Sequence, residues 1–277
     1  MKILISADME GITGIVHSDM LVAWGREYER GRRLQTRDVN AAIKGAVEAG
    51  ADEILVNDAH GSVRNLLIEE INPAARLISG FPRSQIMMEG LDKSVDAAVF
   101  VGYHAKASTF GICSHTMSSF SFTSISINGK PIGETGINAA IAGLYGVPLV
   151  AVSGDDCLRK EVAEEFPDAI YTEVKKVYGL NAADCLPPSV TEKLITENVK
   201  KGIQNKDNCK PFVLEGPLKL DIVCKTIAIT DVVAIMPGVE RVSPLEVTYT
   251  ASDIIEVSRA VTTMMCATGV LTSELYK

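Results

Sequence analysis

The chain has 277 residues, an apolar fraction of 47% and a net charge of −8. This length allows one large domain or two modest ones, and the composition is typical of an ordinary soluble globular protein. The acidic balance argues against nucleic-acid binding and against an anionic membrane surface as a partner. No apolar run approaches the roughly 20 residues that a membrane-spanning helix needs.

The N-terminus and the cysteines bear on the cellular compartment. The first residues enter a strand pattern at once, without the basic, apolar and cleavage segments of a secretory signal. Six cysteines are scattered along the chain with no CxxC pair, which is typical of reduced, mostly buried thiols. We therefore expect a cytoplasmic protein without a structural zinc knot.

The first eleven residues carry the most informative pattern. Residues 2–5 form an apolar run typical of a buried central strand. Ser6, Asp8 and Glu10 follow at alternate positions, so their side chains share one side of an extended chain. Open α/β sheets bind ligands at such strand ends, and a cation would relieve the repulsion between the carboxylates. Two solvated acids at a strand end explain the same pattern, so both interpretations stay open at this point.

Strand and helix signals alternate through the first hundred residues. Residues 18–33, which include the only tryptophan, are predicted as a loop or a short helix covering a site. The next predicted elements are a helix over 34–50, with Thr36 or Asp38 suited to its start, strands over 53–56, 76–79 and 97–101, and a helix over 84–91. This order is typical of a mainly parallel sheet with helices on both faces, so we predict a three-layer α/β/α fold.

The alternation stops in the second half of the chain. Residues 118–127 predict a strand, and Asn128-Gly129 after them is a hairpin signal. The remaining predicted elements are a helix over 133–145, a strand over 148–152, a helix ending near 166, a strand over 169–174, a helix over 189–205, paired strands over 212–214 and 218–224, and a helix over 252–265 capped by Ser252 or Asp253. We place a domain boundary at the seam over 181–188. Residues 1–182 would form the catalytic domain, and the smaller C-terminal α+β portion over 183–277 would serve assembly or a pocket wall.

Two of the four histidines lie at informative positions. His60 and His104 each follow a predicted central strand, as Asp8 and Glu10 do. The carboxyl ends of parallel strands share one edge of the sheet, so these three strand ends should converge. Aspartate, glutamate and neutral imidazole are ligands suited to zinc or a similar transition metal. Each histidine taken alone is also explained as a hydrogen-bonding loop residue.

The other candidate residues have simpler explanations by spacing alone. Glu134 is well placed to interact with a helix dipole, and Asp155 or Asp156 to cap a helix. His115 lies in a polar loop and is either a surface residue or a group facing a metal site, where it would act as an acid/base or stabilise an oxyanion. His17 is most simply an exposed loop residue. The chain has neither a GxGxxG nor a P-loop motif, so no dinucleotide or nucleotide-phosphate site is supported.

The segment from Ser6 to Gly11 resembles the SxDxEG signature of the zinc-dependent D-aminopeptidases associated with bacterial dipeptide-transport operons. Chain length is similar too, and four further blocks fall in the family's order at similar intervals: residues 57–61, 101–105, 114–116 and 133–136. The resemblance therefore spans most of the chain. The part from about Ala183 onward carries no motif that we can match.

The resemblance implies a site with two zinc ions close together. The implied residues are Asp8 as the ligand of both ions, Glu10 and His60 on one ion, His104 and Glu134 on the other, and His115 as the nearby catalytic histidine. It also implies a ring-shaped homo-oligomer, a decamer by family resemblance. The active sites would face an interior chamber that admits small peptides and excludes folded proteins.

The expected function is hydrolysis of short peptides or amides with an N-terminal D-amino acid, by a metal-activated water. One alternative keeps the metals and changes the reaction to that of another binuclear amidohydrolase, an esterase or a phosphatase. Phosphoryl chemistry would favour basic residues near the metals, and the arginines at 26, 30, 32 and 33 could supply them. A second alternative is a small-molecule binding protein with vestigial carboxylates, which would hold no metal tightly.

Overall fold

The computed structural model describes residues 1–275, which form two β-sheets and several helices. The strands are β1 (Lys2–Ala7), β2 (Glu53–Asp58), β3 (Arg76–Ile78), β4 (Ala97–Val101), β5 (Phe122–Ile127), β6 (Lys130–Pro131), β7 (Leu149–Asp155), β8 (Ile170–Gly179), β9 (Ala182–Cys185), β10 (Leu218–Cys224), β11 (Val239–Ser243) and β12 (Glu246–Ala251). The α-helices are α1 (Tyr28–Glu48), α2 (Glu134–Leu144), α3 (Asp156–Glu165), α4 (Pro188–Gln204), α5 (Ile227–Val233) and α6 (Ile254–Leu275). None of the described helices is long and apolar enough to cross a membrane.

The larger sheet has the strand order β3-β2-β1-β4-β7-β8-β9. Its strands are parallel except for β9, which runs antiparallel to β8. The predicted mainly parallel sheet is therefore confirmed. β1 lies between β2 and β4, and its apolar side chains are buried because both faces of the sheet are covered.

Helices cover both faces of this sheet, as predicted. On one face, α1 and α4 pack together, and Ile43 and Ile195 join the core of Ile3 and Ile5 from β1. On the opposite face, α2 and α3 contribute to the core that contains Leu4 of β1. The alternation of β1 side chains between these two cores is the period-two pattern of a strand. The three-layer α/β/α arrangement is confirmed.

The smaller sheet is antiparallel, with the order β11-β12-β10-β5-β6. β5 and β6 form the predicted hairpin, and both turn residues, Asn128 and Gly129, have positive φ. β5 also pairs with β10, so this sheet joins the middle of the chain to its C-terminal part. α5 and α6 pack on it, and α6 also contacts α2. The division of the chain into domains at residue 182 stays a prediction.

Some predicted element boundaries were wrong. α1 begins at Tyr28 rather than at residue 34, so Thr36 and Asp38 lie buried inside the helix rather than at its start. The predicted helix over 84–91 is only a short 3₁₀ turn, Ile86–Met88, in a segment with Pro82 before it and Gly90 at a positive φ after it.

The C-terminal part differs most from its prediction. Residues 212–214 have no regular secondary structure and belong to neither sheet, and β10 pairs with β5 and β12 instead. The main-chain oxygen of Phe212 packs against Gly143 of α2, and its ring stands edge-on to Phe166 at 5.1 Å. The segment is thus fixed by packing on helices. Three elements between residues 225 and 251, α5, β11 and β12, had no sequence prediction.

Candidate metal centre

The ends of three adjacent strands meet at one edge of the larger sheet. Asp8 follows β1, His60 follows β2, and His104 follows β4. The Nδ1 atom of His60 lies 3.3 Å from Oδ1 of Asp8, and the Nε2 atom of His104 lies 3.4 Å from Oδ2. The predicted convergence is confirmed, with Asp8 between the two histidines.

Two glutamates complete the cluster. The Oε2 atom of Glu10 lies 3.0 Å from Nδ1 of His60, and the Oε1 atom of Glu134 lies 3.5 Å from Nε2 of His104. Glu134 is the first residue of α2, and Gly133 precedes it as the N-terminal cap. A Cβ atom at Gly133 would lie 2.4 Å from Oε1 of Glu161, so a larger residue there would displace the Glu161 side chain.

The cluster contains two sets of three possible metal ligands that share one residue. Asp8, Glu10 and His60 form one set, and Asp8, His104 and Glu134 form the other, with one atom per residue lying within 4.8 Å of the others. Glu10, His104 and His115 form a third such set. The structure therefore brings all six predicted site residues together, and their roles as ligands or catalyst stay predictions.

Each imidazole is oriented by a main-chain carbonyl oxygen. The bonds are from Nε2 of His60 to the Leu21 oxygen (2.9 Å), from Nδ1 of His104 to the Ala105 oxygen (3.0 Å), and from Nδ1 of His115 to the Cys113 oxygen (3.0 Å). A carbonyl oxygen only accepts, so the nitrogen that faces it carries the proton. The other nitrogen of each neutral ring directs its lone pair into the cluster, which is the arrangement of a metal-binding histidine.

Two buried atoms show that the cluster fits a metal cation. Oδ2 of Asp8 and Nε2 of His104 are buried and have no hydrogen-bond partner within the described chain. Burial, and then the charge of Glu10, raise the pKa of the Asp8 carboxyl to about 7. Buried polar atoms without a hydrogen bond are costly, and a divalent cation bound to both atoms would relieve that cost. The mixed oxygen and nitrogen donors suit zinc.

The histidines differ in their electrostatic surroundings. Burial opposes the charged form of His60, but the carboxylates of Glu10 and Asp8 outweigh it and raise the His60 pKa well above its usual value. Burial, and then the neighbouring His104, lower the pKa of His115. The rings of His104 and His115 are stacked, with centroids 4.2 Å apart. Of the three cluster histidines, His115 alone has a lowered pKa, since burial is outweighed at His104 too by the neighbouring carboxylates, which raise the pKa of His104.

Two of the cluster side chains are more exposed to solvent than the others. The side chains of His60 and His115 are 12% and 15% exposed, whereas those of Asp8, Glu134 and His104 are 5% exposed or less. The carboxylates thus form the floor of the site. A substrate would approach on the side of His60 and His115.

Several buried residues that sequence reasoning missed hold the ligand-bearing loops. The Nζ atom of Lys175 donates to the main-chain oxygens of residues 10, 12 and 15. Gln35 donates to the oxygen of Asp8 at 3.1 Å, and Asp38 accepts from the amide of Thr13 at 2.9 Å. Lys175 precedes a second lysine on β8, and nothing in the sequence indicates which of the two is buried.

The remaining candidates lie outside the cluster. His17 is exposed and accepts from the amide of Asp19 in a short turn, as expected for a loop residue. Asp155 caps α3 by accepting from the amides of Cys157 and Leu158, which confirms its predicted role. Asp155, Asp156 and Cys157 also lie within ligand reach of one another. Because the Asp155 oxygens already accept these bonds and one from the Ile112 amide, they are satisfied without an ion.

Comparisons with known proteins identify the family of the chain. The family profile described as D-aminopeptidase matches residues 1–263. A D-aminopeptidase of Bacillus subtilis (strain 168) is 38% identical over 265 residues, which cover 95% of this chain and 96% of that protein. A solved structure described as "Zn-dependent D-aminopeptidase DppA from Bacillus subtilis, a self-compartmentalizing protease" matches with a TM-score of 0.93 at 38% identity, over 96% of this chain and 97% of its own. With the profile and the relative both spanning nearly its whole length, the chain belongs to the D-aminopeptidase family.

Proposed function

We propose that this protein is an aminopeptidase that hydrolyses short peptides or amides with an N-terminal D-amino acid, with two zinc ions in the cluster described above. The family and the zinc dependence printed for its solved relative support the activity and the metal. The observation that supports two ions is the pair of three-residue sets that share Asp8.

Each side chain of the cluster has a proposed role in binding. Asp8 would hold both ions, Glu10 and His60 would complete one, and His104 and Glu134 the other. The inward lone pairs of the two histidines and the unpartnered Oδ2 of Asp8 support this assignment. Bound zinc would act as a Lewis acid toward the scissile carbonyl and lower the pKa of a water molecule to about 7.

His115 is the proposed catalytic histidine. Its Nδ1 atom is held by the Cys113 oxygen, and its Nε2 atom lies 3.5 Å from Oε1 of Glu134, facing the cluster. In the neutral ring, Nε2 can accept a proton during attack on the carbonyl and pass it to the leaving amine. Its greater exposure supports contact with the substrate.

A phosphatase is the less favoured alternative. It would need basic side chains near the carboxylates, and two of the four candidate arginines between residues 26 and 33 bind other groups. Arg32 donates to the oxygen of Asn65 and to Glu29, and Arg30 pairs with Glu27. We therefore favour attack on an amide carbonyl.

Assembly into a ring is part of the proposal. The solved relative is described as self-compartmentalizing, and a closed chamber would limit substrates to small peptides. We propose a cytoplasmic homo-decamer of 29.7 kDa subunits, in which residues 183–277 contribute to assembly or to a pocket wall. Sedimentation velocity tests the stoichiometry, and a protein that remains monomeric at micromolar concentration would contradict it.

The decisive experiment compares matched D-alanyl and L-alanyl p-nitroanilides. Hydrolysis is measured with metal-stripped protein, before and after zinc is restored. We expect zinc-dependent cleavage of the D-form alone. Metal binding without cleavage of either compound would move the function to another metal-dependent hydrolase. Failure to retain metal at all would overturn the assignment of the whole cluster.

A further inference from the structure

A fully buried lysine lies beneath the loop that carries Glu10. Lys175 is on β8 and is only 1% exposed to solvent. Its Nζ atom lies 2.6 Å, 2.8 Å and 2.6 Å from the main-chain oxygens of Glu10, Ile12 and Ile15. The next residue, Lys176, points to the opposite side of the strand and is exposed. Burial of a long cationic side chain is rare unless its charge is compensated.

The three bonds use the full donor capacity of an ammonium group. A protonated lysine has three N–H donors and no acceptor, and here each donor meets a separate carbonyl oxygen. Residues 10–15 form turns without helix or strand, so their carbonyl oxygens have no regular ladder of partners. The Nζ atom of Lys175 donates to three of these oxygens and so holds the segment close to one nitrogen atom.

The same turn is also held by α1 and by the loop after β4. Gln35 of α1 donates to the oxygen of Asp8, and the amide of Gly11 donates to the oxygen of Gly102 at 2.8 Å. A Cβ atom at Gly11 would lie 1.9 Å from the oxygen of Tyr103, so the main chain here is pressed against the loop after β4. The main chain at residues 10 and 11 is therefore held both by the loop after β4 and by the Lys175 ammonium.

We propose that Lys175 is a positioning residue for the metal centre, which fixes the main chain at Glu10 so that the Glu10 carboxylate meets His60 in metal-binding geometry. It bonds main-chain oxygen atoms rather than metal-binding atoms, so it acts through Glu10. The inference rests on the proposed function, because it requires a metal at the site. Changes in groups that support metal ligands commonly weaken metal binding by about 10–100-fold.

The test measures metal binding rather than turnover alone. Lys175→Met removes the ammonium but keeps an unbranched chain of similar length, and Lys176→Met is the matched control on the exposed side of the same strand. Zinc affinity is measured by competition with a chromogenic chelator, and the ligand field by the visible spectrum of the cobalt-substituted protein. We expect Lys175→Met to bind one of the two ions at least about tenfold more weakly than the wild type does, and to show an altered cobalt spectrum. Lys176→Met should match the wild type.

A structural role without positioning would give a different result. If Lys175→Met melts at a lower temperature but retains wild-type zinc affinity and the wild-type cobalt spectrum, the proposal is overturned. Lys175→Arg is the second variant, in case Lys175→Met does not fold. Its planar guanidinium keeps the charge but cannot aim three N–H groups at oxygens gathered around one nitrogen. We expect its zinc affinity to lie below that of the wild type, and wild-type affinity and spectrum in this variant would also contradict the proposal.

Failure of the proposed function is distinguishable from failure of this inference. A wild-type protein that binds no zinc contradicts the metal centre before any variant is compared. A wild-type protein that binds zinc but cleaves no D-alanyl amide contradicts the substrate assignment alone, and the comparison of metal affinities between the variants still decides the role of Lys175.

Discussion

At the scale of single residues, His115 differs from the other two cluster histidines in the position of its ring. All three rings are held by main-chain oxygens, but His115 stacks on His104 and is the most exposed of the three. Its ring can therefore contact a substrate that lies over the carboxylate floor. His60 and His104 each share a set of possible metal ligands with Asp8, whereas His115 does not.

This difference predicts the behaviour of His115→Ala. We expect the variant to retain its zinc, because both three-residue sets that contain Asp8 stay intact, and to lose about 10²–10⁴-fold in kcat, the usual contribution of general acid–base catalysis. Metal content after gel filtration and hydrolysis of the D-alanyl anilide are measured together. His17→Ala is the matched control, because His17 is exposed and caps a short turn. Full activity in His115→Ala would remove the residue from the mechanism, and loss of zinc would make it a ligand.

At the scale of elements, the turn after β1 depends on its close contact with the loop after β4. The Cβ atom of an alanine at Gly11 would meet three main-chain atoms of Gly102 and Tyr103 at 1.9–2.7 Å. Main-chain atoms cannot rotate away as a side chain can, so the two loops would have to separate. Asp8 and His104, which lie in these loops, would move with them.

We therefore expect Gly11→Ala to destabilise the protein by about 2–4 kcal/mol and to weaken zinc binding, since overpacking against main chain has no easy relief. Urea unfolding followed by circular dichroism measures the free energy of unfolding. Gly179→Ala serves as the control, because a Cβ atom there would have nothing within 4 Å. Equal stability of the two variants would show that the contact between the loops yields more readily than the distances indicate.

Elements that are specified by their own residues were predicted best. β1, β2 and β4 were predicted because an apolar run between turn residues specifies a buried strand without outside information. α1 extends six residues beyond its predicted start because the polar residues from Tyr28 to Arg33 carry no apolar period. β11 is mostly exposed and carries no clear strand pattern. β12 does alternate Val247, Tyr249 and Ala251 with other residues, a period-two signal that the sequence prediction did not use. Their pairing depends on β10, which the sequence does not reveal.

The same reasoning separates the parts of the candidate site. Asp8, His60 and His104 were expected to converge because the ends of parallel strands share an edge. Glu134 and His115 reach the cluster from a helix start and an irregular loop. Spacing alone gave Glu134 a helix-dipole role and left His115 open between a surface residue and a group facing a metal site. For both residues, the family resemblance supplied the place in the site. Lys175 had no signal of either kind, because its burial is decided by a tertiary contact with residues 10–15.

At the scale of the whole molecule, a metal would tie together parts of the chain that are far apart in sequence. The cluster joins the ends of β1, β2 and β4 to the start of α2. An ion that binds the folded chain but not the unfolded chain should raise the free energy of unfolding by about 2.7 kcal/mol when its free concentration is 100 times its Kd. We expect the melting temperature to fall on chelation and to recover with zinc. The melting temperature of Asp8→Asn, which lacks the shared carboxylate, should respond much less. A wild-type melting temperature that is indifferent to chelation would contradict a bound metal.

The pairing of β5 with β10 has a consequence for how the chain is made. All six cluster residues are synthesised in the first half of the chain. Ile127 of β5, however, pairs with Leu220 of β10, which is about 90 residues further along the chain. Synthesis of that stretch takes roughly 5–20 s at ordinary translation rates. During that interval β5 has only the two-residue strand β6 beside it, and its residues from Phe122 to Ile125 lack their partner strand β10. The hairpin that leads into α2 is then unsupported, so we expect Glu134 to reach its place, and zinc to be captured firmly, only after the C-terminal part has emerged.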